Sequence, residues 1–179
     1  MLVRGEISFE DCIAHQFRLI KAGEHAILGE YDRFVSQRDG FGALVDFTVT
    51  RGIPLTIVSG GLAFVIKEFL DRNGWADLIS LYVGKLELKE GRMEVIFPPL
   101  LERGSSCFKD DLVLRLKRQG KMVIYIGDGT YDFKAARASD LAFAVRGSKL
   151  ARLCRRERVP FTEFQDFAEV VESLARSLG

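Results

Sequence analysis

Two short apolar runs, Pro54-Leu-Thr-Ile-Val58 and Met122-Val-Ile-Tyr-Ile126, each stop at a glycine-containing loop and open into a segment of helical periodicity. A run of this kind, apolar at nearly every position, suits a strand buried on both faces, as strands of parallel sheets are. Strand followed by helix, repeated along a chain, implies a mostly parallel sheet covered by helices on both sides. Such sheets take their ligands at the carboxyl ends of the strands, which here are the loops after Val58 and Ile126.

The remaining elements fit around those two strands. Ser8 is placed to cap a helix whose apolar face is Phe9, Cys12, Ile13, Phe17 and Ile20, with Asp11 at the capping-box position and Gly23 ending it. A second helical stretch covers Ala26 to Arg38, and a third runs from Phe41 to Arg51, closed by Gly52. Leu62 to Asn73 is helical and ends at Gly74. The runs Ser80 to Leu88 and Arg92 to Phe97 flank Lys89-Glu90-Gly91 as a β-hairpin. Helices are expected over Lys109–Gln119, Thr130–Ala138, Ser148–Arg158 and Gln165–Leu178, with a short strand over Leu141–Val145. No internal repeat and no linker divides the chain.

Composition narrows the function. With 179 residues, 47% of them hydrophobic, the chain can bury one sizeable core. Its 26 basic and 25 acidic side chains nearly cancel, which argues against nucleic acid or an anionic membrane as partner. Cys12, Cys107 and Cys154 are odd in number and far apart, with no zinc-ligand spacing around His15 or His25. The expectation is a reduced, cytoplasmic protein without a targeting segment or a membrane span, in which neither histidine does chemistry. Oligomeric state is not legible.

Chemistry concentrates at the strand ends. Ser59-Gly60-Gly61 offers a hydroxyl, backbone N–H groups that a phosphate can approach closely, and the start of a helix. A plain strand-to-helix turn with Ser59 as cap accounts equally well for those three residues. Asp128 and Asp132, in Gly127-Asp-Gly-Thr-Tyr-Asp132, stand four apart across a strand end and a helix start, where hard carboxylate oxygens suit Mg2+. An Asx turn at Asp128 and a helix-start role for Asp132 are the plainer alternative. Lys109 opens a helix, where an ammonium opposes the helix dipole, so a phosphate partner gives it a reason to be there. A solvated surface lysine is the commoner case.

Taken in order, Ile57-Val58-Ser59-Gly60-Gly61, Lys109 and Ile126-Gly127-Asp128-Gly129-Thr130-Tyr131-Asp132 resemble motifs II, III and IV of the haloacid dehalogenase superfamily. Gly60-Gly61, Cys107-Phe108-Lys109, Ala135-Ala136, Asp140-Leu-Ala-Phe-Ala144, Pro160-Phe161 and Phe164-Gln-Asp-Phe167 bring the chain nearest to the phosphoserine phosphatase group. Within that group it is most similar to the phosphatases of 2-hydroxy-3-keto-5-methylthiopentenyl-1-phosphate. The resemblance runs from about Glu6 to the C-terminus. It implies a three-layer Rossmann-like α/β fold with a mostly parallel sheet, a β-hairpin and a partial helical cap. Residues 1–40 would be the partial cap and residues 41–179 the core. Ser59 and Gly60 would bind phosphate, Lys109 would bind phosphate and act in catalysis, Asp128 would ligate Mg2+, and Asp132 would orient the metal's shell as a catalytic residue. The three sites would share one pocket.

Members of the superfamily open with a strand ending in Asp-x-Asp-x-Thr, whose first aspartate attacks phosphorus. No Asp-x-Asp occurs in these 179 residues. Asp46-Phe-Thr-Val-Thr50 is only a superficial likeness within a helical pattern. The expectation is therefore an Mg2+-dependent phosphomonoester hydrolase of a small phosphorylated metabolite, without its nucleophile segment and its central first strand. The alternative is a catalytically silent phosphate-binding or regulatory module, and a third possibility is a purely structural α/β domain.

Overall fold

The computed structural model describes residues 7–89 and 92–178. Two compact units are present, one within Met1–Gln37 and Val45–Pro98, the other within Arg38–Leu44 and Pro99–Gly179. The helix α4, Phe41–Thr50, carries the chain between them.

In the first unit, α1 (Phe9–Arg18) begins where the Ser8 hydroxyl accepts the Asp11 N–H at 3.0 Å and donates to the Asp11 carboxylate at 2.8 Å. The second expected helix is two short ones, α2 (Glu24–Gly29) and α3 (Tyr31–Phe34), separated at Glu30 with φ −99° and ψ 5°. Gly29 is a poor helix residue, and the chain breaks beside it instead of continuing to Arg38. Tyr31 is buried beneath the Arg72 guanidinium, 4.3 Å from its ring, while Arg72 also pairs with Asp32 at 2.7 Å and Glu68 at 2.6 Å. Tertiary contact thus fixes a turn of helix that is too short to persist alone.

The α4 helix ends as its glycine requires. Gly52 takes φ +62°, and the Ile53 N–H reaches back to the Thr48 carbonyl at 2.8 Å. Asp46 lies inside this helix, in keeping with its exclusion as a nucleophile. Then β1 (Leu55–Ser59), α5 (Ala63–Arg72) and β2 (Ile79–Val83) form a β-α-β unit, with β1 and β2 parallel and Ile57 opposite Leu81.

The expected first hairpin strand, Ser80 to Leu88, is in fact two strands. Residues up to Val83 pair with β1, and only β3 (Lys85–Lys89) pairs with β4 (Arg92–Ile96) in an antiparallel hairpin. Gly84 divides them. A Cβ there would overlap the Val95 side chain and lie 3.0 Å from the Phe97 ring, so the strand switches sheets at the one residue without a side chain. Glu90 and Gly91 of the expected turn lie outside the described residues.

In the second unit, α6 (Phe108–Arg118) leads into β5 (Ile124–Gly127), a 3₁₀ turn over Thr130–Asp132, α7 (Phe133–Ala138), β6 (Leu141–Val145), α8 (Lys149–Arg156), β7 (Thr162–Phe164) and α9 (Phe167–Leu178). The sheet is parallel in the order β5-β6-β7. Small buried residues, Ala135, Ala136, Ala142, Ala144 and Ala151, form much of its core and let the helices lie close to the sheet. Strand β7 was not expected from the sequence. Phe164 is buried and pairs across from Val145, so three residues suffice as an edge strand. The last helix starts at Phe167, two residues later than expected, because the Asp166 carboxylate caps it by accepting the Ala168 and Glu169 N–H groups at 2.9 and 3.2 Å.

The chain is thus α/β with parallel sheets, as the alternating pattern implies. Among the described residues β1 pairs with β2 alone and β5 with β6 alone. No described helix is long and apolar enough to cross a membrane. We expect Gly84→Ala to lower unfolding stability by about 1–3 kcal/mol, since the added methyl overpacks the hairpin. Urea denaturation measures this, and an unchanged midpoint would show that Val95 and Phe97 yield freely.

Candidate active site

In the second unit the start of α6 is organised by two consecutive buried carboxylates. Asp110 accepts the Ser106 and Cys107 N–H groups at 2.7 and 2.9 Å, which caps the helix. Asp111 accepts the Leu101 and Glu102 N–H groups, both at 2.7 Å, and the Ser105 hydroxyl at 3.0 Å, tying the preceding loop to the helix. Acids suit a helix N-terminus, and these two directly follow Lys109 and tie the backbone before it to the first turn of α6.

Lys109 reaches from there to Asp132, with Nζ 2.6 Å from Oδ1. Both side chains are largely buried, at 14% and 5% exposure, so the pair is no loose surface contact. The Tyr125 hydroxyl donates to the same Oδ1 at 2.9 Å. The other oxygen, Oδ2, accepts the Asp128 N–H at 3.0 Å and the Gly129 N–H at 2.7 Å. The Asp132 carboxylate fills the space beside Gly127, where a Cβ would come within 2.7 Å of Oδ2. The glycine before Asp128 is therefore what allows Asp132 to fold back under the loop.

Burial alone would raise the Asp132 carboxyl's affinity for protons. The Lys109 charge, its hydrogen bond and the two amides outweigh burial, and the pKa falls below the ordinary carboxylate value. Tyr125 moves the other way, since burial and then the Asp132 charge push its pKa up and keep the phenol protonated. Cys107 is pushed up to about 12 by burial and its bond to Asp110, so it is a thiol and no nucleophile at neutral pH.

Asp128 differs from Asp132. It is exposed, its carbonyl accepts the Leu150 N–H at 3.0 Å, and among the described residues no hydrogen bond or ion pair engages its carboxylate. One open carboxylate at a strand end suits Mg2+, which keeps several waters and takes one or two carboxylates together with substrate phosphate. No group of three His, Cys, Asp or Glu that could hold a metal occurs among the described residues, so Asp128 would not be the core of an all-protein cage.

Ser59 and Gly60 belong to the first unit. The Ser59 hydroxyl accepts the Gly61 N–H at 3.0 Å, a local turn bond. Leu62, and not Ser59, is the N-cap residue of α5, and it makes no side-chain cap bond. The hydroxyl hydrogen and the first-turn amides of α5 are groups of the kind that bind phosphate. Gly60 lies against the Phe9 ring, where a Cβ would come within 2.8 Å of Cζ.

Lys109, Asp128 and Asp132 are thus joined through one loop and one ion pair. Sequence reasoning missed Tyr125, Asp110 and Asp111. The Asp110-Asp111 doublet right after Lys109 was the available signal, whereas a tyrosine in an apolar strand reads as ordinary core.

Because Asp132 has a lowered folded pKa, its stabilising contribution is complete above the unfolded value of about 3.9 and is lost as pH falls through the lower folded value. We expect Asp132→Asn to cost about 3–5 kcal/mol at pH 7 by removing the charge of the buried Lys109–Asp132 pair, with the deficit shrinking at acid pH. Paired denaturation curves at pH 7 and pH 3 test this, and a deficit independent of pH would contradict it.

A family model for haloacid dehalogenase-like hydrolases matches residues 3–137. The 2-hydroxy-3-keto-5-methylthiopentenyl-1-phosphate phosphatase of Exiguobacterium sibiricum is 26% identical over 176 residues, covering 94% of this chain and 77% of that one. The polyol phosphate phosphatase of Saccharomyces cerevisiae is 26% identical over 156 residues, covering 78% and 63%. Among solved structures, a substrate-bound phosphoserine phosphatase superposes with a TM-score of 0.68 at 18% identity, over 94% of this chain and 79% of that one, a likeness of fold. The chain belongs to the haloacid dehalogenase-like hydrolase family, among its phosphatases.

Proposed function

We propose that these residues are the phosphate- and metal-binding part of an Mg2+-dependent phosphomonoester hydrolase acting on a small phosphorylated metabolite. The observation that carries this is the buried Lys109–Asp132 pair beneath a loop whose other aspartate, Asp128, keeps an open carboxylate. In this reading Lys109, in the second unit, offsets the negative charge of a bound phosphate, and in the first unit the Ser59 hydroxyl and Gly60 N–H are donors of the kind that bind phosphate oxygens. Asp128 holds Mg2+, which when bound lowers the cost of charge on the transferring phosphoryl group. Asp132 acts by holding Lys109 and the Asp128–Gly129 backbone in place, so it is a positioning residue more than a ligand. Residues 1–40 are read as a partial helical cap and residues 41–179 as core. The three cysteines are free, which agrees with a reducing, cytoplasmic setting.

The family's covalent step needs an aspartate nucleophile, and no Asp-x-Asp lies in these 179 residues. That observation favours a second reading, a silent phosphate-binding module. The two readings agree on binding and differ on turnover.

We expect the 179-residue chain to bind inorganic phosphate in the presence of Mg2+, with Lys109→Ala and Asp128→Asn each weakening binding about tenfold or more, by calorimetry. It should hydrolyse an aryl phosphate at no measurable rate. Turnover that vanishes on Asp128→Asn would reveal a nucleophile within these residues and overturn the assignment.

A further inference from the structure

We propose that Tyr125 is a positioning residue for Lys109, acting through the oxygen of Asp132 that both side chains touch. The inference rests on the reading above for the purpose of Lys109, but its geometry stands independently. Oδ1 of Asp132 accepts the Tyr125 hydroxyl at 2.9 Å and the Lys109 ammonium at 2.6 Å, while Oδ2 is engaged by two backbone N–H groups. Two bonds on each oxygen engage the acceptor capacity of a carboxylate, so the group cannot rotate without losing one.

Tyr125 is the one partner of that carboxylate drawn from a strand, and it is 8% exposed. A tyrosine at a core position is commonly there for its ring. Here the hydroxyl ends on a charged oxygen, in a buried site where a hydrogen bond to a carboxylate is strong. Burial and the Asp132 charge keep the phenol protonated, so it remains a donor throughout the neutral range.

The consequence concerns charge sharing. The phenol takes up part of the electron density on Oδ1 and leaves the Lys109 ammonium less completely neutralised than in an isolated pair. With the hydroxyl removed, one lone pair of a buried carboxylate loses its donor, and the ammonium is drawn more fully onto Oδ1. A lysine so drawn is a poorer partner for an incoming anion. Tyr125 would then adjust how strongly this loop binds phosphate without touching it.

Tyr125→Phe keeps the ring and removes the donor. Two readouts are taken on the 179-residue chain with Mg2+: the affinity for inorganic phosphate, and the ¹⁵N resonance of the Lys109 ammonium, assigned by its loss in Lys109→Ala. We expect affinity to fall about threefold to tenfold and the ammonium resonance to shift. Site-specific 3-fluorotyrosine at position 125, a stronger donor, should move both readouts the opposite way, and it tests the idea if the phenylalanine variant folds poorly. Lowered stability with both readouts unchanged would overturn the proposal and leave Tyr125 a core residue. If the wild-type chain binds no phosphate, or binds it equally well after Lys109→Ala, the phosphate-site reading fails. The ammonium resonance then decides the Tyr125 proposal alone, a shift supporting it and constancy overturning it.

Discussion

The carboxylate of Asp132 accepts four hydrogen bonds, and the arrangement of the loop after β5 follows from satisfying them. A buried charge without partners is costly, so Asp132 can exist there only if Lys109 comes from α6, Tyr125 from β5, and two amides turn inward from the loop itself. Each requirement propagates. The inward amides need Gly127 without a side chain, the lysine needs α6 to start where it does, and that start needs Asp110 and Asp111. The outward consequence is that Asp128 faces solvent with its carboxylate uncommitted.

This division of labour between two aspartates four residues apart links structure to chemistry. One is fully engaged and depressed in pKa, which makes it a fixed anchor. The other is open and able to take a hard cation. A loop with both carboxylates free would be electrostatically unfavourable in the apo chain, and a loop with both engaged would have no ligand to offer. The cation beneath, Lys109, pairs with an oxygen of Asp132 that it shares with a phenol.

How much of this was legible in the sequence follows the range of the interactions. Ser8, Gly52 and Gly74 act within a few residues, and each does what its type predicts. The single turn α3 is held by Tyr31 packing under Arg72, forty-one residues away, and the division of β2 from β3 depends on Val95 and Phe97 across the hairpin. Neither is visible to local periodicity. Strand β7 is three residues long and is defined by its pairing with β6. At the site, Lys109, Asp128 and Asp132 were readable because their order matches family motifs, while Tyr125 was not, because its apolar neighbours describe a core strand and only the fold brings its hydroxyl to Asp132. Ser59 was read with two alternatives open; it makes a turn bond to the Gly61 N–H but is not the helix cap that the plainer one gave it, and that bond does not use its hydroxyl hydrogen.

The central claim is that these residues hold a phosphate and a metal but lack the group that attacks phosphorus. It is tested most directly by joining a strand that ends in Asp-x-Asp-x-Thr to the N-terminus of the 179-residue chain and measuring phosphate release from small phosphomonoesters. The account expects Mg2+-dependent release from the joined chain, abolished when the first aspartate of the added strand is changed to asparagine and when Lys109 is changed to alanine. Release that persists after the asparagine change, or that does not depend on Lys109, would contradict it.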